Sequence, residues 1–233
     1  LRKIRIDKKI LGKILYIGIP SSFQGVVFNL SNIVIQASVN SFGAVVMAGS
    51  AAAANIEGFI WVCMNAFSQA GLAFMSQNLG AGKYSRLDKV NITTVVSAVV
   101  TGLVLGTVAV YFGPQLIGIY TSQPEKVPAG MVRLKMIGTT YFLCGIMDCL
   151  AGNIRGLGYS GTPTLVSLIG ACGLRLLWIV TIFRIPQFHS VYWLFITYPI
   201  TWTITFIAHA ICYVILRRKY PRVDGELYES YQA

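Results

Sequence analysis

An all-α fold, a polytopic membrane protein of six transmembrane helices, is what this chain predicts, and three observations carry the prediction. Apolar stretches of about 20 residues or more, the length a ~30 Å hydrocarbon layer requires, fill its 233 residues almost end to end. Hydrophobic residues make up 55% and charged residues 12%, with a mean hydropathy of +0.65; soluble domains carry about one quarter charged residues. The alternating ten-residue segments of an outer-membrane barrel are absent from the sequence.

The spans are expected at 14–39, 44–77, 90–112, 132–154, 165–183 and 191–216, the second long enough to tilt or to project beyond the bilayer. The chain divides into a basic segment, 1–13, a six-helix membrane lobe, 14–216, and a polar, Tyr-rich tail, 217–233. Lys and Arg beside short loops favour the cytoplasm. Arg2, Lys3, Arg5, Lys8, Lys9, Lys13, Lys83, Arg86, Lys89, Arg155, Arg217, Arg218, Lys219 and Arg222 fall on one side, 14 of the 19 Lys and Arg residues. Lys126, Arg133, Lys135 and Arg184 fall on the other, and Arg175 lies within a span. Both termini are therefore expected in the cytoplasm, in a multi-pass protein of the plasma membrane. The net charge of +11 is read as a topology signal with inner-leaflet contact, without a nucleic-acid partner. The first span is too long for a signal-peptide core. A chain beginning at Leu1 is expected to be a piece of something longer.

The first span carries a polar stripe, Ser22, Gly25, Asn29, Asn32, Gln36 and Asn40, at spacing that keeps one helical face polar. Ser50, Glu57, Trp61, Asn65 and Ser68 recur similarly on the second span. Such faces point into a bundle or a wet cavity; interhelical hydrogen bonding, worth roughly 0.6 kcal/mol per pair, is the plainer alternative. At 1.5 Å of rise per residue, Asn29 and Glu57 both lie roughly 21 Å from the turn near Gly43 and are expected to meet. Two acids, Glu57 and Asp148, lie inside spans, where a charge is costly unless it serves a partner or pathway. Asp148 and Arg175 stand at similar depths about the hairpin at 157–163, so Arg175 is the expected ion-pair partner of Asp148. Glu57 has no evident basic partner, is expected to protonate more easily, and is preferred as the proton or cation site. Asp148 is left between a structural pair and ion coupling.

The five cysteines sit in apolar spans without CxxC spacing and read as buried structural thiols, with neither a disulfide framework nor a metal site. Gly156-Leu-Gly158-Tyr-Ser-Gly161 matches the dinucleotide fingerprint in letters only, because a membrane span rather than a strand precedes it. Gly80-Ala-Gly82-Lys83 lacks the first glycine and the Ser or Thr of a phosphate loop. Both are expected as tight turns. Pro20 and Pro199 are expected to bend their helices, His209 to be packed and hydrogen-bonded, and Trp193 to anchor at an interface.

These turns carry a family resemblance. Ser76-Gln-Asn-Leu-Gly-Ala-Gly-Lys-Tyr-Ser-Arg86 resembles the loop after the eighth helix of multidrug and toxic compound extrusion (MATE) transporters. Arg155-Gly-Leu-Gly-Tyr-Ser-Gly-Thr-Pro163 is similar to their RGxGxxxxP turn, and Gly18-Ile-Pro20 to the GxP that opens the seventh helix. The three occur in the family's order, and the chain is similar to the C-terminal six-helix lobe of a twelve-helix transporter. The resemblance implies secondary antiport: a drug-like compound, cationic or amphipathic, leaves as H⁺ or Na⁺ enters, with no cofactor, against an N-terminal six-helix lobe. Some Na⁺-coupled relatives carry an acid near position 28 or 29 and another about one turn from Asp148, a pattern from which this lobe departs. The runner-up is a lipid-linked saccharide flippase of related fold, which needs interior cations; a noncatalytic membrane scaffold would hold its polar stripes against protein only. No HExxH, GxSxG or His dyad suggests an enzyme.

Overall fold

The computed structural model describes residues 7–121 and 123–224. Arg2, Lys3 and Arg5 of the basic segment, the side chain of Lys13 and tail residues 225–233 lie outside the described residues.

The chain is helical throughout its described spans: α1 (Lys8–Asn40), α2 (Ala44–Gly80), α3 (Leu87–Tyr111), α4 (Gly113–Tyr120), α5 (Lys126–Gly138), α6 (Tyr141–Gly156), α7 (Gly161–Ser167), α8 (Leu174–Val180), α9 (Val191–Phe195) and α10 (Thr197–Arg217). Among the described residues, five segments are each long and apolar enough to cross a membrane. A sixth is formed when α5 and α6, which meet at a 44° bend, are taken as one span. That span begins at Lys126, earlier than the expected residue 132, so Arg133 lies inside it rather than at its edge.

Local chemistry sets the helix ends. The Asp7 carboxylate accepts from the backbone N–H groups of Lys9 and Ile10, at 2.8 and 3.3 Å, and starts α1. Gly82 and Gly158, with φ of 66° and 94°, close the two glycine-rich turns in backbone conformations that a side chain would strain. Pro20 lies inside the continuous α1. Pro199 sits in the first turn of α10, just after the break at Ile196, where its missing N–H leaves no intrahelical bond unmade.

Helix α2 is the central post, packed against α3, α5 and α6, with α10 behind α6. In lipid there is little hydrophobic force between helices, so close approach comes from small residues. Gly49 meets the backbone of Gly130, Gly106 that of Gly138, and Gly152 the backbone and hydroxyl of Ser68. Two buried clusters result. One surrounds Met64, Ile137, Tyr141, Phe195 and Trp202, and the other Met75, Leu87, Ile154, Leu157 and Tyr213. Arg217 fastens the end of α10 to the Tyr84 turn, donating to Asp88 at 3.1 Å, Tyr84 O at 3.0 Å and Pro221 O at 2.9 Å. Cys63 is exposed and Cys212 partly so, which corrects the expectation that all five thiols are buried. Cys63 lies on the arc of α2 turned away from its packed face, which also exposes Phe59 and Val62.

Candidate transport cavity

A cavity of about 960 Å³ opens between α1, α2, α5, α6 and α10. Asn29, Asn32, Gln36, Glu57, Trp61, Asn65 and Asp148 all border it. The α1 stripe supplies amides, with Asn29 and Asn32 exposed and the Gln36 amide donating to Asn40 Oδ1 at 3.0 Å. Ser68, from the α2 stripe, donates to the backbone carbonyl of Asp148 at 2.7 Å and joins the cavity wall to α6. Ser50 does not border the cavity and serves the ion pair beneath it.

Glu57 is not partnerless. The Arg133 guanidinium donates to both carboxylate oxygens, Nε at 3.0 Å to Oε1 and Nη2 at 2.8 Å to Oε2. Its Nη1 reaches the Ser50 hydroxyl at 3.4 Å, and its plane lies 5.3 Å from the Phe195 ring centre. Both residues are buried. A forked, two-bond contact of this kind fixes geometry as well as charge, and an arginine at this depth requires its counter-charge. Reading Arg133 as a flanking topology cation hid the pair. A signal was present: Gly130, Arg133, Leu134, Ile137 and Gly138 form one buried face of α5, so Arg133 belongs to the face that packs.

The expected Asp148–Arg175 pair does not form. Arg175 is buried with its guanidinium 4.0 Å from the Tyr198 ring centre, and it makes long contacts of 3.5 Å to Asn32 Oδ1 and 3.4 Å to Thr201 Oγ1. Its Nε has no hydrogen-bond partner among the described residues. Equal depth does not ensure equal azimuth. The turn at Leu168–Gly173 is π-helical, and a wide turn of this type rotates everything beyond it relative to a regular helix. Asp148 instead meets the Cys144 thiol at 4.0 Å and the Trp61 side chain, and the charge of Arg155 acts on it through its field. Arg155 reaches into the cavity wall and donates to the Gln24 amide oxygen at 2.7 Å. Two arginines, Arg133 and Arg155, therefore border the cavity, and Arg175 is buried against Asn32 and Tyr198 of its wall.

Other residues separate by location. Buried His209 pairs through Nε2 with the Ser167 hydroxyl at 3.1 Å. Trp202 packs edge-on against Tyr141 and Tyr198. Trp193 stacks on Trp178, and its carbonyl accepts from the Trp178 indole at 3.2 Å. Of the four tryptophans, Trp61 alone borders the cavity.

The candidate membrane helices thus surround a polar cavity that carries charged side chains. The MatE family model matches residues 20–181, and the chain belongs to that family. Among curated relatives, the probable multidrug resistance protein YoeA of Bacillus subtilis (strain 168) is 22% identical over 174 residues, covering 75% of this chain and 38% of its own. YpnP of the same organism, also a probable multidrug resistance protein, is 29% identical over 162 residues, or 70% of this chain and 36% of its own. The MATE transporter VcmN of Vibrio cholerae, in its bent form, shares the fold with a TM-score of 0.82 at 18% identity, covering 97% of this chain and 49% of that one. The chain thus spans about half the length of that solved structure and under two fifths of these curated relatives. The three segments that resemble the family's lie inside α1 at Gly18–Pro20, at the α2–α3 turn and at the α6–α7 turn.

Proposed function

We propose that this chain is the C-terminal lobe of a secondary antiporter that exports organic, cationic or amphipathic compounds in exchange for H⁺ or Na⁺, with Asp148 as the coupling acid in this lobe. One observation carries the reading: Asp148 borders the cavity yet has no ion pair among the described residues. Glu57 borders the same cavity but is already bound to Arg133. A carboxylate free of a fixed cation can exchange between substrate, proton and Na⁺, whereas one locked in a fork must first break two charge-assisted bonds. Trp61 lies beside Asp148 and offers a π face to a flat organic cation.

In this mechanism the ionised Asp148 draws the cationic compound into the cavity, and the amides of Asn29, Asn32 and Gln36 orient it. Arrival of H⁺ or Na⁺ neutralises the acid and weakens the hold on the compound. A second six-helix lobe supplies the opposing wall, and rocking of one lobe against the other exposes the cavity to each side in turn. The names of the curated relatives support multidrug export, and the exposed amides of α1 favour a wet cavity over a scaffold. The protein acts as a transporter and not an enzyme, needs no prosthetic group, and resides in the plasma membrane with both termini cytoplasmic. A second reading, flipping of a lipid-linked saccharide, draws support from Arg155, a cation at the cavity wall that can meet acidic groups.

The test uses the full-length transporter in proteoliposomes under imposed Na⁺ or proton gradients. Asp148→Asn is expected to bring gradient-driven efflux of a fluorescent organic cation close to background while folded protein in the membrane is unchanged. Normal efflux with normal pH and Na⁺ dependence would remove Asp148 from coupling. Movement of an anionic lipid-linked saccharide, with no efflux of the cation, would favour the second reading.

A further inference from the structure

On α2 the residues that border a second groove, Phe67, Ala70, Phe74 and Asn78, lie on nearly the opposite side of the helix from Glu57, Trp61 and Asn65. The groove runs between α2 and α3, has a volume of about 580 Å³ and is separate from the transport cavity. It follows the chain from Arg86, just before α3, to Ser97 on α3, and α2 from Asn78 back to Phe67. Each stretch is roughly 16 Å at 1.5 Å of rise per residue, about half of a ~30 Å hydrocarbon layer. Its length therefore matches one leaflet.

The two ends differ in chemistry. Towards mid-span the walls are Phe67, Ala70 and Phe74, and at the loop end stand Asn78, Arg86 and Lys89. Arg86 and Lys89 are exposed and form no ion pair or side-chain hydrogen bond among the described residues. The acids nearby are engaged elsewhere. Asp88 accepts from Arg217 at 3.1 Å, and Asp224 accepts from the Ser85 backbone at 2.8 Å and its hydroxyl at 3.0 Å. Those two bonds hold the Asp224 carboxyl below its ordinary value, and Arg86 adds to the effect only through its field.

We propose that this groove seats one acyl chain of an anionic phospholipid from the leaflet facing the Gly80–Lys83 turn, with the lipid phosphate held by Arg86 and Lys89. An apolar slot of leaflet length ending in two uncommitted cations complements such a lipid in both shape and charge, and basic pockets between membrane helices hold acidic headgroups.

The experiment is native mass spectrometry of delipidated full-length transporter titrated with phosphatidylglycerol or phosphatidylcholine of matched chains. Phosphatidylglycerol is expected to be retained preferentially. Arg86→Gln with Lys89→Gln should weaken that retention by on the order of tenfold. The pair Arg218→Gln with Arg222→Gln, which removes two exposed cations outside the groove, should leave it unchanged. Ala70→Phe or Ser97→Leu should lower retention with both cations intact. Equal retention of the two lipids, equal loss in the control pair, or no effect of either groove-filling change would overturn the proposal. Displacement by millimolar glycerol phosphate would make this an anion site rather than a lipid seat. A spin label at position 93 screened from lipid-borne relaxation agents would mean that protein covers the groove, and would also overturn it.

Discussion

At the scale of single residues, the cavity's two acids are distinguished by their partners and not by their depth. Glu57 holds Arg133 through a buried fork that also touches Ser50. Removing one member leaves a buried charge without compensation, and breaking such a pair costs about 3–5 kcal/mol. Glu57→Gln should therefore lower the melting temperature of the purified full-length transporter strongly. Adding Arg133→Gln should restore part of the loss, because no naked charge then remains. Thermal melting in detergent separates the cases, and a single variant that melts like wild type would show the pair to be energetically silent. Asp148→Asn, with no salt bridge to lose, should change melting far less, and Arg175→Gln should not act as its specific rescue.

Between elements, the decisive contacts are glycines against backbone. A Cβ on Gly152 would stand 2.6 Å from the Ser68 carbonyl oxygen and 2.7 Å from its hydroxyl, which itself holds the Asp148 carbonyl. Gly152→Ala should push α6 away from α2 at a cost of about 1–3 kcal/mol, the usual range for overpacking. Gly12→Ala, on α1 where nothing lies within 4 Å, should be neutral or stabilising by up to about 1 kcal/mol through helix propensity. Melting curves for the two variants check both; equal destabilisation would mean that the close approach does not hold these helices together. The π turn at Leu168–Gly173 is the other element-level device. It brings Gly170 against the Thr205 side chain and sets the azimuth at which Arg175 meets Tyr198 rather than Asp148.

For the whole molecule, the distribution of basic residues predicts that the turns at Lys83 and Arg155 face the cytoplasm. A cysteine at position 85, in a background freed of native cysteines, should resist impermeant labels applied outside intact cells. Labelling there would invert the topology. The polar cavity wall on α1 is exposed, and alternating access needs one bundle to move against another. Liposomes holding only this chain should accordingly show no ion-driven export of an organic cation. Robust export would mean that two copies of the chain complete the cavity.

The sequence by itself determined the span count, the glycine turns, the family signatures and the polar stripes of α1 and α2. These follow from local rules: a length of apolar residues, a positive φ, a helical period. It also grouped six candidate residues, Asn29, Asn32, Gln36, Glu57, Trp61 and Asn65, on two polar faces that border one cavity, because periodicity along a single helix survives folding. Only the tertiary structure decided which charge meets which. Arg133 reached Glu57 because the span containing it starts at Lys126 and its small-residue face packs on α2. Arg175 missed Asp148 because a π turn rotated it away. Depth along a helix can be counted from residue numbers, but azimuth around a packed, bent helix depends on its neighbours, and charge pairing needs both.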